Sequence, residues 1–192
     1  MNTNTVIKIL YVGRIVPAKG VDYLIDVYQK LLELKPDSEL KIVGSSSFGG
    51  GGGGYEKECQ KKIDGLKAAG AKAEILGYVH NVDLPHLYNW ASLFCSLSKD
   101  EAFGMTYIEA LACKTLVLAN RVGGVSEAVG FEEMLITHDL NISQIVDRIL
   151  DLSDHNIVST LAPESYSRTV KLFSWDVLAR QHSDFLSNTI NM

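Results

Sequence analysis

Ser92-Leu93-Phe94-Cys95-Ser96, followed by Asp100-Glu101-Ala102-Phe103-Gly104-Met105-Thr106-Tyr107-Ile108-Glu109, is the stretch from which the fold is read. The first segment is a short apolar run that predicts a buried strand. The second opens as a loop, turns tightly at Phe103-Gly104-Met105 and runs on in an apolar helical pattern. Strand, loop and helix N-terminus mark the place where an open α/β sheet binds ligands, outside the carboxyl ends of its strands. Free N–H groups and the positive dipole end of a helix can hold an anion there. Glu101 and Glu109, eight positions apart, are not further anion binders. Carboxylates so placed suit the hydroxyls of a neutral polyol such as a sugar, while the amides face a phosphate. The same two residues also read as a first-turn acid complementing the dipole and a solvated helix residue.

Outward from this unit, strands and helices alternate. Upstream, Val6 to Val12 predicts a strand ending at Gly13-Arg14, and the loop Ile15 to Gly20 follows. Val21, Leu24, Ile25, Tyr28, Leu31 and Leu32 recur at helical spacing. Leu40 to Val43 is a second strand ending at Gly44. Six consecutive glycines, Gly49 to Gly54, then interrupt the pattern. A phosphate-cradling loop needs Lys-Ser or Lys-Thr after its last glycine; Tyr55-Glu56 stands there, so a pliable surface loop is expected. Glu56 to Ala69 reads as an exposed, charged helix, Ala73 to Val79 as a strand with its exit, and Asp83 to Trp90 as a short helix bearing Leu84, Leu87 and Tyr88.

Downstream, Thr115 to Ala119 is a strand, Arg121 to Glu127 turns into a short helix, and Met134 to Ile136 is a last strand. Ile142, Ile145, Val146, Ile149 and Leu150 form one helical face with Asn141 as its cap. Another helix spans about Ile157 to Val170, and a terminal one follows Ser174 over about 174–187. Such alternation predicts an α/β, Rossmann-like three-layer sandwich with a mostly parallel sheet. No internal repeat and no domain break is seen, so residues 1–192 read as a single domain. Gly13-Arg14, Gly44, Tyr78-Val79, Ser98 to Glu101 and Asn120-Arg121 stand at strand ends and are expected to converge on one rim.

Composition agrees with a domain of this size. A chain of 192 residues with 46% hydrophobic and 21% charged residues can bury a real core. A net charge of −5 without a basic stripe argues against nucleic acid as a partner. Cys59, Cys95 and Cys113 have no metal or redox spacing and read as reduced, buried thiols. Met1 to Thr5 is polar and no apolar run is long enough to span a bilayer, so a cytoplasmic protein is expected, with peripheral membrane contact left open.

Gly13-Arg14-Ile15-Val16-Pro17-Ala18-Lys19-Gly20, Gly77-Tyr78-Val79, Glu101 to Glu109-Ala110, and Gly123-Gly124 with Glu127, in that order and spacing, resemble the C-terminal domain of retaining glycosyltransferases of family 4. The resemblance runs from about Val6 to the helix of Trp175. It implies one half of a GT-B fold that binds a UDP-, GDP- or ADP-sugar with no metal and no further cofactor. By the same resemblance, Gly13 is expected to form the strand exit, and Arg14 and Lys19 to clamp the diphosphate, opposing the charge that grows as the glycosidic bond breaks. Glu101 is expected to hold the donor sugar and to act in catalysis with Arg14 and Lys19. The backbone at Phe103, Gly104, Met105 and Thr106 would approach sugar and phosphates, Glu109 would accept from the ribose hydroxyls, and groups near Val79 would meet the base. Gly123-Gly124 are turn and packing residues.

The same resemblance implies a glycan, lipid or protein acceptor and an N-terminal acceptor domain with a glycine-rich loop and a catalytic histidine. None of that precedes Val6, so half an enzyme, inactive alone, is the expectation. His80, His86 and His182 read as surface or packing residues. Two further departures are visible: the family often has Gly where Ala102 stands, and Gly after the helix cysteine, where Lys114 stands. A hexosyltransferase of bacterial surface or coat polysaccharide synthesis is the leading reading. A scaffold domain of the same fold and half of a nucleotide-sugar isomerase are the alternatives.

Overall fold

The computed structural model describes residues 6–46, 53–137 and 139–190. Six strands, β1 (Lys8–Val12), β2 (Glu39–Val43), β3 (Lys72–Gly77), β4 (Leu93–Ser96), β5 (Leu116–Asn120) and β6 (Leu135–Ile136), form one sheet in the order β3-β2-β1-β4-β5-β6. Every pair in it is parallel. The inner strands β4 and β5 are buried along their whole length. That follows from their near-continuous apolar sequence, which suits a sheet covered on both faces. The edge strand β3 is half exposed and carries Lys72 and Glu74.

Helices α1 (Val21–Leu32), α2 (Gly53–Ala68) and α6 (Ile142–Leu152) pack together on one face. Helices α3 (Leu84–Trp90), α4 (Met105–Ala112) and α7 (His155–Phe173) cover the other, with α5 (Val125–Val129) beside α4. α1 buries Val21, Leu24, Ile25, Val27, Tyr28 and Leu31, the spacing that the sequence shows. α6 starts at Asn141, whose side chain accepts from the Gln144 N–H while Gln144 bonds back to the Asn141 N–H. α2 differs from expectation at its start: it begins at Gly53, not Glu56, and buries Cys59 and Ile63 against the sheet. The rest of the glycine run, with Ser47 and Phe48, lies outside the described residues.

The last helix, α8 (Trp175–Ile190), packs against α7. Trp175 is 83% exposed and Phe185 65% exposed, so an apolar face of this helix is left open. No helix among the described residues is long and apolar enough to cross a membrane.

Lys114 explains why glycine suits its position. It follows the end of α4 with φ +61°, the only positive φ at a non-glycine among the described residues. Its N–H caps the Leu111 carbonyl, and the Thr115 N–H caps that of Ala110. Ala102 shows no such strain. Lys114→Gly is expected to stabilise the domain by about 1 kcal/mol, raising the thermal midpoint by roughly 2–4 °C. The contact of the Lys114 ammonium with the Tyr166 ring, 5.1 Å to its centroid, offsets part of that gain. A calorimetric scan of the two proteins checks the sign.

Candidate functional site

The sheet order changes direction between β1 and β4. From β1 the chain moves outward to β2 and β3, and from β4 to β5 and β6. Loops after β1 and β4 therefore part from one another and leave a crevice at their carboxyl ends. Two adjoining clefts occupy it, of about 240 and about 360 Å³, sharing Val12, Gly13, Arg14 and Thr106 as a common wall.

The first cleft lies over the exits of β1, β2 and β3. The Gly13 N–H bonds the Val43 carbonyl at 3.0 Å, and the Gly44 N–H bonds that of Gly77 at 2.7 Å. A Cβ on Gly44 would stand 1.9 Å from the Gly13 carbonyl oxygen, so glycine alone lets these exits run in contact. Tyr78, Val79, Asn81 and Leu84 wall one side; Thr106 and Glu109 of α4 wall the other. Glu109 is half-buried and is not a solvated helix residue. The buried Tyr88 hydroxyl donates to its Oε2 at 2.7 Å. Burial first, then the charge of Glu109, pushes the Tyr88 phenol far above its ordinary pKa, so it stays a proton donor.

The second cleft lies between the β1 exit and the loop from Leu97 to Gly104. Lys19 reaches across it: its Nζ donates to Glu101 Oε2 at 2.7 Å and to the Asp100 carbonyl at 2.9 Å. The two side chains are 13% and 20% exposed, so this ion pair is partly withdrawn from solvent. Arg14 is exposed and lies on both clefts; among the described residues it has no carboxylate partner. Its carbonyl accepts from the buried Tyr11 hydroxyl at 2.8 Å. Gly104 stands at the start of α4 with φ +92°, where a Cβ would press on the Tyr107 ring at 2.1 Å. No side chain caps this helix, and its first residues, Met105 and Thr106, line the cleft with Ala102 and Phe103. An unfilled first turn of this kind favours an anion.

The loop bearing Glu101 is held from behind. Asn120 Nδ2 donates to the Ser98 carbonyl at 3.0 Å, the Lys99 N–H bonds the Ala18 carbonyl at 2.8 Å, and the Gly124 N–H bonds that of Ala102 at 3.0 Å. A Cβ on Gly123 would stand 1.8 Å from the Glu101 carbonyl oxygen. Gly123 and Gly124 are thus packing residues, as expected.

All ten expected site residues, Gly13, Arg14, Lys19, Val79, Glu101, Phe103, Gly104, Met105, Thr106 and Glu109, line one cleft or the other. The rim expectation needs one correction. Asn120 turns inward and is buried, and Arg121 pairs with Glu132, so neither reaches the clefts. Sequence reasoning missed Tyr88, which it counted as an apolar helix residue, and also Ser98 and Asn120 as loop supports. Their bonds join distant segments and leave no local pattern to read.

A Rossmann-like parallel sheet with its crevice at the switch point is the architecture of one half of a GT-B fold. The family model described as Glycosyl transferases group 1 matches residues 2–168, and the chain belongs to that family. It is 28% identical over 180 residues to mannosylfructose-phosphate synthase of Agrobacterium fabrum, covering 90% of this chain and 38% of that protein. To lipopolysaccharide 1,2-N-acetylglucosaminetransferase of Salmonella typhimurium it is 29% identical over 188 residues, 94% of this chain and 48% of that one. In fold it is similar to Anabaena Alr3699/HepE, solved in complex with UDP-glucose, with a TM-score of 0.81 and 24% identity over 97% of this chain and 50% of that one. The chain spans half or less of the length of each of these proteins.

Proposed function

We propose that this chain is the donor-binding half of a retaining hexosyltransferase that uses a nucleoside-diphosphate sugar. The observation that carries the reading is the pair of adjoining clefts, joined at Arg14 and Thr106, with a hydrogen-bonded carboxylate in one and a Lys–Glu pair in the other. In this reading the base lies against Val79, and Glu109 accepts from the ribose hydroxyls. The diphosphate spans Arg14, Lys19 and the start of α4, and Glu101 takes the sugar hydroxyls. As the bond to the sugar breaks, negative charge grows on the diphosphate, and the two cations with the α4 amides stabilise it most at that stage. No metal or further cofactor has a part in this scheme.

The complete enzyme then needs a second domain that holds a glycan, lipid or protein acceptor and faces it to the donor. The apolar face of α8 is where that domain would meet this one. By its likeness to the Salmonella lipopolysaccharide enzyme, bacterial surface polysaccharide is the pathway class we favour. The reading places the chain in the cytoplasm, at the membrane face when the acceptor is lipid-linked.

Calorimetric titration with UDP, GDP and ADP, then their sugar conjugates, tests the reading. UDP comes first because the similarly folded Alr3699/HepE was solved with UDP-glucose. One nucleotide is expected to bind. Glu109→Ala is expected to weaken it by about ten- to a hundred-fold, since hydrogen bonds to a charged group contribute about 1.5–3 kcal/mol. Unchanged affinity would sink the ribose role.

A further inference from the structure

We propose that Tyr88 is a positioning residue that makes the donor site select ribose over sugars lacking its vicinal hydroxyls. The inference rests on the reading of Glu109 given above. A carboxylate has two oxygens and, left to itself, turns about its last bond. In this fold Oε2 is occupied by the Tyr88 hydroxyl at 2.7 Å. Tyr88 has one proton to give and a carboxylate only accepts, so the direction of the bond is settled by chemistry.

The tyrosine itself cannot swing away. Its ring is 1% exposed and lies against Phe94 of β4, with centroids 6.0 Å apart. Its backbone carbonyl accepts from the buried Thr115 hydroxyl at 2.7 Å, which ties the end of α3 to the start of β5. Three segments of chain, around Tyr88, Phe94 and Thr115, thus converge to fix one oxygen of Glu109. Thr106, one helical turn before Glu109, lies on the same cleft. The carboxylate plane is set before any ligand arrives, and Oε1 with the open lone pair of Oε2 presents a fixed edge to two neighbouring hydroxyls. A ligand without them leaves this edge unpaired as it excludes water, which is how a site rejects an analogue lacking a hydroxyl.

The test compares UDP, GDP and ADP, whichever binds, with its 2′,3′-dideoxy counterpart, in the whole chain. Tyr88→Phe removes only the hydroxyl. It is expected to weaken the ribose ligand by about five-fold and the dideoxy ligand by less than about two-fold, the scale of one lost hydrogen bond. Equal loss for both ligands, or none for either, overturns the inference. Glu109→Gln keeps Tyr88 and guards against the case in which the Tyr88→Phe variant does not fold. In Glu109→Gln, Tyr88 holds the amide oxygen and turns the NH2 group to the cleft, so one of the two acceptors offered to the hydroxyls becomes a donor and the ribose preference is expected to fall by about five-fold. A preference kept within about two-fold of that of the unaltered protein overturns the inference. Glu109→Ala separates the two levels: if it leaves the ribose preference intact, the ribose role fails and this proposal with it. If it removes the preference while Tyr88→Phe does not, Tyr88 alone is cleared of the role.

Discussion

Replacing Arg14 and Lys19 together by alanine is expected to weaken the selected nucleoside diphosphate by about a hundred-fold or more, and the matching nucleoside by no more than about two-fold. Hydrogen bonds to charged groups are worth about 1.5–3 kcal/mol each, and two of them reach that loss even at the lower end. The single variants should not be equal. Arg14 is exposed and without a carboxylate partner among the described residues, so Arg14→Ala removes an attraction and little else. Lys19 holds Glu101 at 2.7 Å, and its loss leaves that carboxylate unpaired beside an incoming phosphate. Lys19→Ala should therefore cost more. Titration calorimetry of the four proteins reads both effects; equal losses for diphosphate and nucleoside would argue against a clamp.

Gly123→Ala is expected to destabilise the domain by about 2–3 kcal/mol and to erase the advantage of a sugar conjugate over the bare diphosphate. Two causes add. Gly123 has φ +49°, where an L side chain is strained, and its Cβ would meet the Glu101 carbonyl oxygen at 1.8 Å. Backbone oxygen cannot rotate aside as a side chain can, so the segment from Asp100 to Ala102 must shift. Both acceptors of Lys19, the Asp100 carbonyl and the Glu101 carboxylate, move with it. Gly70→Ala is the control. Its φ is +91° and nothing lies within 4 Å of the added carbon, so it carries the backbone strain alone. Urea unfolding and titration of both variants separate strain from displacement. A Gly123→Ala protein as stable as Gly70→Ala, with its sugar advantage intact, would show that the glycine does not back the Glu101 loop.

Elements with a local signal were legible in the sequence. The apolar spacing of α1 is one case, and Asn141 with Gln144 at the head of α6 is another. The gathering of the candidate site residues on one rim was legible for a topological reason. In a parallel sheet, strand exits and helix starts share one rim, so Gly13-Arg14, Val79 and Glu101 to Thr106 had to gather there. What stayed hidden depends on tertiary contact. Glycine is a poor helix former, and Gly53-Gly54 joined α2 through the packing of Cys59 and Ile63 further along it. Asn120 occupies a strand exit by count, yet its amide finds the Ser98 carbonyl and turns inward. Tyr88 and Glu109 belong to different helices, and no periodicity in either announces that they touch.

Synthesis of the chain must follow from the parallel strand order. Ile9 and Leu10 are followed soon by Leu40 and Lys41, which pair with them on one side, but their other neighbours, Leu93 and Phe94, are made later. Until then β1 keeps a bare, apolar edge, the kind of edge that other chains pair with. A ribosome-bound chain stopped before β4 should be a client for chaperones. Both clefts straddle that seam, so in the proposed function a nucleotide is captured only after it closes. A ligand bound there would then hold the seam shut by mass action, the more so the further its concentration exceeds the dissociation constant.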